Sequence, residues 1–390
     1  MATELGVTER VKTALAQAPL DAIIVTGLDH VGYLTGAPLT YLVGAHDQRV
    51  LVFWPKTGQP QCICPAEWAP VVRSLGRIPC TCGYPATGGE QAPIEALSCS
   101  VRAALPNGGR VGIDLARAPA AFSAWLRTAL PDVEWVACDD WLRSLRMVKT
   151  APEIAALADI AARTDHGIVG AAHHVIVQRF RTETAQAEEI RMTCCERLLD
   201  TVGHHAVAQV AGGENAKQVW PQAPKYSVGG GKPLSAGEWV RMEMIASRDN
   251  YWSDACRMMV MGQPTPEQAA TYAGLVALRG TALEHLRPGV RASEIYAAVD
   301  AESRRLSVDL IREIGVGHGI GASSMEPPYL TGADHTTLAA GMVLVLDLAV
   351  RAPTGEIVRT KDTVIIAENG AGIVGWYKDW REPYLPIYDA

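Results

Sequence analysis

Residues 237–262, GEWVRMEMIASRDNYWSDACRMMVMG, hold a period-two stretch, a polar break and then a run, Tyr251 to Met261, rich in strand formers. Val240, Met242 and Met244 interleave with Arg241, Glu243 and Ile245 before a polar Ser247-Arg248-Asp249-Asn250 break. Strand-like patterning on both sides of a break predicts a β-hairpin. With Arg248 and Asp249 as a two-residue turn, Ser247 faces Asn250, and counting outward sets Glu243 opposite Asp254 on one face. Two like charges so placed repel, so a positive group is expected between them. A solvated face would also tolerate them, since charged residues are mostly exposed. Trp239, Trp252 and the flanking methionines favour burial.

The same patterning divides the chain. Residues 1–145 read as an α/β domain with a short helix over 8–16 and strands at 21–26, 50–54 and 110–114. Residues 83–93, rich in Gly and Pro, read as a loop. A second domain is expected over 150–390. It opens at Pro152 and Glu153 with a long helix that carries Ile154, Leu157 and Ile160 at helical spacing and runs to about Val177. A helix over 182–199, a strand at 205–211, the hairpin, and helices over 266–286 and 292–306 follow. Strands around 315–321, 341–350 and 356–366 complete an α+β domain.

A length of 390 residues exceeds one ordinary core and agrees with two domains. With 48% hydrophobic and 20% charged residues the composition is that of a soluble globular protein. The net charge of −7 argues against nucleic acid or an anionic membrane as partner and for a small-molecule ligand. Glu4 and Glu9 interrupt the N-terminal stretch, and no window approaches about 18 unbroken apolar residues, so a cytoplasmic protein is expected. Nine cysteines, an odd number, fit reduced thiols better than a disulfide framework. Cys62-x-Cys64 and Cys80-x-Cys82 have the look of half zinc sites, but spacing by two on a strand is also normal for small apolar residues, and packing is the preferred expectation. No glycine-rich phosphate loop occurs.

Three more ionisable residues stand in strand-like surroundings. His318 lies in Gly317-His-Gly-Ile-Gly, where glycines permit close backbone approach. Asp347 follows the apolar run Met342 to Leu346, a poor place for an unpaired carboxylate. Lys361 sits between Arg359 and Asp362, just before Val364-Ile-Ile. With Glu243 and Asp254 they give the series Glu, Asp, His, Asp, Lys on strands of one domain.

From about Ile154 onward the chain resembles the pita-bread fold shared by methionine aminopeptidases, aminopeptidase P, prolidase and creatinase. Residues 21–36 and the junction Leu142-Arg-Ser-Leu-Arg-Met-Val-Lys-Thr resemble the smaller domain of creatinase and prolidase. The resemblance implies a C-terminal pita-bread catalytic domain preceded by a smaller creatinase-type α/β domain. It also implies, for the metallopeptidases of this family, two divalent ions held by Asp, Asp, His, Glu and Glu. By motif Glu243 stands at the first Asp, Asp254 at the second, His318 at the His, Asp347 at the first Glu and Lys361 at the last. A protonated lysine cannot bridge metals. Met325, followed by Glu326, takes the place of a second family histidine, and Trp220 that of a third. A dinuclear centre and ordinary aminopeptidase activity are therefore not expected.

Three carboxylates against one ammonium leave two negative charges. One divalent ion (Mn, Fe or Zn) on Asp254, His318 and Asp347 would balance them. So would a metal-free site, as in creatinase, with Lys361 replacing a metal and either a protonated carboxyl or a cationic substrate group, lying over Trp220 and Trp252, neutralising the rest. Both alternatives stay open. The resemblance points to a hydrolase cleaving a C–N bond in a small guanidino, amide or ammonium substrate. In it Glu243, Asp254 or Glu326 serves as general acid or base, His318 moves protons or holds a metal, Lys361 stabilises developing negative charge, and Asp347 completes the candidate catalytic set. Trp220, Trp252 and Met325 are the expected substrate contacts. The alternatives are a lyase acting on an onium substrate such as dimethylsulfoniopropionate, an Xaa-Pro dipeptidase with one metal, and a binding module without catalysis. A homodimer is implied by creatinase-type relatives.

Overall fold

The computed structural model of the chain describes residues 5–37, 39, 49–78, 80–177, 182–198, 205–219 and 232–375. Two compact units, Met1–Arg146 and Met147–Ala390, account for it. None of its helices, among the described residues, is long and apolar enough to cross a membrane.

Among the described residues the N-terminal unit is built on six strands: β1 (Ala22–Val25), β2 (Leu51–Pro55), β3 (Gln61–Pro65), β4 (Cys80–Tyr84), β5 (Gly109–Ile113) and β6 (Val133–Ala137). They lie in the order β4-β3-β2-β1-β5-β6, with β1 antiparallel to β2 and parallel to β5. All four residues of β1 are buried, the continuous apolar run of a strand covered on both faces. Among the described residues the accompanying helices are α1 (Val7–Gln17), α2 (Leu28–Thr35), α3 (Ala69–Leu75), α4 (Ala92–Ala104), α5 (Ala120–Ala129) and α6 (Asp139–Met147). Leu97, Val101, Phe122 and Leu126 of α4 and α5 close over Ile24, Phe53, Ile63 and Val111. The segment expected as a loop over 83–93 is shorter, because a 3-10 turn takes up Ala86–Gln91 and α4 starts at Ala92. Cys62 and Cys64 are fully buried free thiols on β3. Asp114, just beyond β5, is buried and accepts hydrogen bonds from the backbone N–H of Thr26 at 2.9 Å and of Gly27 at 2.8 Å. A charged acceptor there satisfies donors at the mouth of α2 that the helix itself leaves unpaired.

Among the described residues the C-terminal unit holds a nine-stranded sheet. Its strands are β7 (His205–Gly212), β8 (Trp239–Arg248), β9 (Tyr251–Val260), β10 (Asp309–Leu310), β11 (Gly317–Gly319), β12 (Glu326–Tyr329), β13 (Val343–Arg351), β14 (Ile357–Ala367) and β15 (Gly370–Val374). The main order is β12-β11-β13-β14-β9-β8-β7, with β10 on β13 and β15 on β14. Two helix pairs pack against it: α7 (Ala151–Val177) with α8 (Glu183–Leu198), and α9 (Pro266–His285) with α10 (Ala292–Arg305). Ile160, Ile168 and Ile190 of the first pair meet Val210, Met242 and Met244. Leu275, Leu278 and Ile295 of the second meet Leu344, Leu346 and Val364. A capping box of Thr265 and Gln268, with Pro266 at the first helical position, starts α9.

The hairpin β8–β9 turns one residue later than the spacing suggests. Asp249 and Asn250 are its corner, with φ of 51° and 66°. A two-residue turn matching the strand twist needs left-handed backbone at both central positions, which Asp and Asn tolerate and Arg does not favour. Arg248 therefore pairs with Tyr251, Glu243 with Cys256, and Asp254 with Ile245. The expected Glu243–Asp254 opposition is corrected to a diagonal. A shift of the pairing by two keeps both carboxylates on one face.

The seam between β9 and β14 joins the two halves of the sheet through one register pair, Lys361 with Cys256. Arg257 reinforces it from the helix side, Nη1 donating to the carbonyls of Cys256 at 2.8 Å and Lys361 at 2.6 Å. The same guanidinium lies 2.7 Å from Asp165 on α7 and 3.2 Å from Asp362 on β14, and Asp362 is held at 2.7 Å by Arg279 of α9. A buried chain of ion pairs thus ties both helix pairs to the seam.

Candidate active site

Directly paired residues of neighbouring strands project to the same face of a sheet. The register therefore sets a transverse row of Gln209, Glu243, Cys256, Lys361 and Asp347 across β7, β8, β9, β14 and β13. Residues two apart on a strand share that face, which adds Asp254 beside Cys256, Arg359 beside Lys361 and Arg241 beside Glu243. His318 pairs with Val345, two residues before Asp347. Glycines flank it because β11 is clasped between β12 and β13: a Cβ on Gly319 would stand 2.4 Å from the Pro327 carbonyl oxygen.

The charged groups are matched one for one. Lys361 Nζ lies 2.9 Å from both Oδ1 and Oδ2 of Asp254 and 3.2 Å from Glu243 Oε2. Arg359 grips Asp347 with a fork, Nε to Oδ1 at 2.7 Å and Nη2 to Oδ2 at 2.5 Å, the strongest arrangement open to such a pair. Arg241 Nε is 2.8 Å from Glu243 Oε1, and its Nη2 donates to the Gln218 carbonyl at 2.9 Å. All six side chains are buried, with Glu243 the most accessible at 6%. Burial alone would raise the carboxyl pKa values. Lys361, Arg359 and Arg241 instead pull Glu243 from 4.5 down to about 2, and Arg359 with Lys361 brings Asp347 from 3.8 to about 2. Burial works against the charge on Lys361, but Asp254 and Glu243 raise its pKa above the ordinary lysine value, so the amine is protonated.

These shifts make acid stability testable. Carboxyls whose folded pKa is depressed contribute stability that is fully present above the unfolded values and is lost as pH falls through the folded ones. The urea midpoint is thus expected to hold down to about pH 4.5 and to drop steeply between there and about pH 2. Equal midpoints at the two ends of that window would contradict the assignment.

His318 Nδ1 lies 3.0 Å from the Gly319 carbonyl oxygen. An acceptor there places the proton of the neutral ring on Nδ1 and leaves Nε2 as the acceptor. The ring is also within electrostatic reach of Asp347.

Not every expected residue joins this group. Glu326 is buried in a separate ion pair with Lys149, Oε1 to Nζ at 2.8 Å. Trp252 lies two residues from Asp254, half-buried, its ring 5.7 Å from that of His205. Met325 is 49% exposed. Trp220 lies outside the described residues. Arg241, Arg359 and Lys149 are the partners that sequence reasoning missed. For the first two the signal is present in the chain: each stands two residues before a singled-out residue on the same strand, hence on the same face.

The charge count is corrected accordingly. Arg241 and Arg359 join Lys361, so three carboxylates face three cations and no excess negative charge remains. This donor set does not suit a divalent ion. Both oxygens of Asp254 face Lys361, both of Asp347 face Arg359, and those of Glu243 face Arg241 and Lys361. The expected set of Asp254, His318 and Asp347 does not assemble as ligands, and no group of three His, Cys, Asp or Glu among the described residues is placed to hold a metal.

Comparison with known proteins places these strands in context. Residues 157–368 match the family model of metallopeptidase family M24, and residues 8–148 match that of the creatinase/prolidase N-terminal domain. The Xaa-Pro dipeptidase of Pyrococcus furiosus is 28% identical over 249 residues, a stretch that spans 61% of this chain and 66%, just under two thirds, of that protein. Among solved structures, dipeptidase PepE from Mycobacterium ulcerans matches with a TM-score of 0.77 at 25% identity over 97% of each chain. The X-Pro aminopeptidase from Thermotoga maritima matches with a TM-score of 0.79 at 16% identity, covering 97% of this chain and 99% of that one. The chain belongs to metallopeptidase family M24, in the two-domain arrangement of creatinases and prolidases.

Proposed function

We propose that the chain hydrolyses a C–N bond in a small nitrogenous substrate, of amide or guanidino type, and that the charged cluster across β8, β9, β13 and β14 is where it does so. Relatives named as Xaa-Pro dipeptidases support C–N cleavage. The observation that carries the reading is His318, buried beside the Arg359–Asp347 pair with its Nε2 left to accept. Water attacking the carbon of the C–N bond gives its proton to Nε2, and the resulting imidazolium is stabilised by the ionised Asp347 before it protonates the leaving nitrogen. Charge that develops on the tetrahedral centre meets a field already arranged by Lys361 and Arg359. Because the protein charges balance, the site does not demand a cationic substrate.

The test is a panel of Xaa-Pro dipeptides, simple amides, and ureido and guanidino compounds, read by release of amine or ammonia. The wild-type chain is expected to turn over at least one class, and His318→Ala to lose about 100-fold or more with the fold retained. No turnover across the panel, or an unimpaired His318→Ala, would sink the proposal.

A further inference from the structure

We infer that Lys361, with Arg241, holds the electrostatic place of a divalent ion, so that the chain as it stands rejects such ions, and that reversing the charge at position 361 alone makes the site accept one. The inference takes the location of the site from the proposed function, but metal uptake is read without turnover, so the two can fail separately.

Lys361 engages both oxygens of Asp254 and reaches Glu243 Oε2, while Arg241 Nε lies 2.8 Å from Glu243 Oε1 as an ion pair, without an aligned hydrogen bond. Any ion taking Asp254 and Glu243 as ligands must displace an ammonium that cannot leave, since Lys361 is anchored mid-strand and 1% exposed. A lysine in such a position stays charged and presents donors only. Lys361→Glu changes the balance from three against three to four carboxylates against two guanidinium groups. The two negative charges left over are what one divalent ion neutralises. The introduced carboxylate would lie on the same face as Asp254, Glu243 and Asp347, with His318 near the last. Oxygen-rich sets with one imidazole suit Mn²⁺ or Co²⁺.

Full-length wild-type protein and Lys361→Glu are incubated with Mn²⁺ or Co²⁺, desalted and assayed for bound metal. Wild type is expected to retain none, and Lys361→Glu about one ion per chain, with a rise in melting temperature on metal addition that wild type does not show. An ion retained by wild type and lost in Asp254→Asn would overturn the inference. So would a folded Lys361→Glu that binds nothing. If Lys361→Glu is unfolded without metal, Mn²⁺ is expected to restore its circular dichroism, and failure to do so also overturns the inference.

Discussion

Arg359→Met is expected to lower the unfolding free energy by about 3–5 kcal/mol, the cost of leaving a buried charge without its partner. Asp347 loses both hydrogen bonds of the fork, and Glu243 loses a guanidinium 3.6 Å away. Asp347 is only 4% exposed, too enclosed for bulk solvent to take over. Its carboxyl pKa then rises, so the variant recovers part of its stability at mildly acid pH, the reverse of the wild type. Arg359→Met/Asp347→Leu removes both charges and is expected to regain most of the loss, because replacing a whole buried pair by apolar groups is close to neutral. Urea unfolding at two pH values on wild type and the two variants decides it. A single variant within about 1 kcal/mol of wild type would show that the fork carries little of the fold.

Arg257→Met is expected to cost at least as much, from the other side of the sheet. It leaves Asp165 and Asp362 without this partner and removes the donor to two carbonyls at the β9–β14 seam. Each buried acceptor so abandoned adds about 1–3 kcal/mol. Arg257→Lys should not rescue it, since one ammonium cannot reproduce a planar fork reaching two carboxylates and two carbonyls. Because the Lys361 carbonyl is one of those acceptors, residual folded protein should also lose turnover. A lysine variant as stable as wild type would refute the clamp.

Much of this is legible in residue order. Alternation marks β8, and runs of strand formers or apolar residues mark β9, β13 and β14; because side chains on a strand alternate between faces, Glu243, Asp254, Asp347 and Lys361 fall on a common face once the strands are paired. Residue order does not reveal which strands meet. The partners at the β9–β14 seam stand about a hundred residues apart, and only that contact brings Lys361 to Asp254. Arg241 and Arg359 escape notice because a lone arginine on a strand reads as a solvated side chain, and their burial depends on partners from elsewhere. The hairpin corner shifts by one residue because polarity alone does not locate it, whereas the sign of φ at Asp249 and Asn250 does. Glu326 looks free for chemistry in the sequence, and Lys149, far off along the chain, holds it in the fold.

The seam gives β14 an unusual intolerance. One residue inserted or deleted ahead of Lys361 would turn Arg359 and Lys361 toward the helices and bring Asp362 out among the acids, since side chains alternate between faces. Oil-and-water sorting would resist such a slip weakly here, because both faces of the strand carry charge at this level. Like teeth cut for one key, the ion pairs on either side accept a single alignment. The length of this strand is therefore constrained more tightly than its composition.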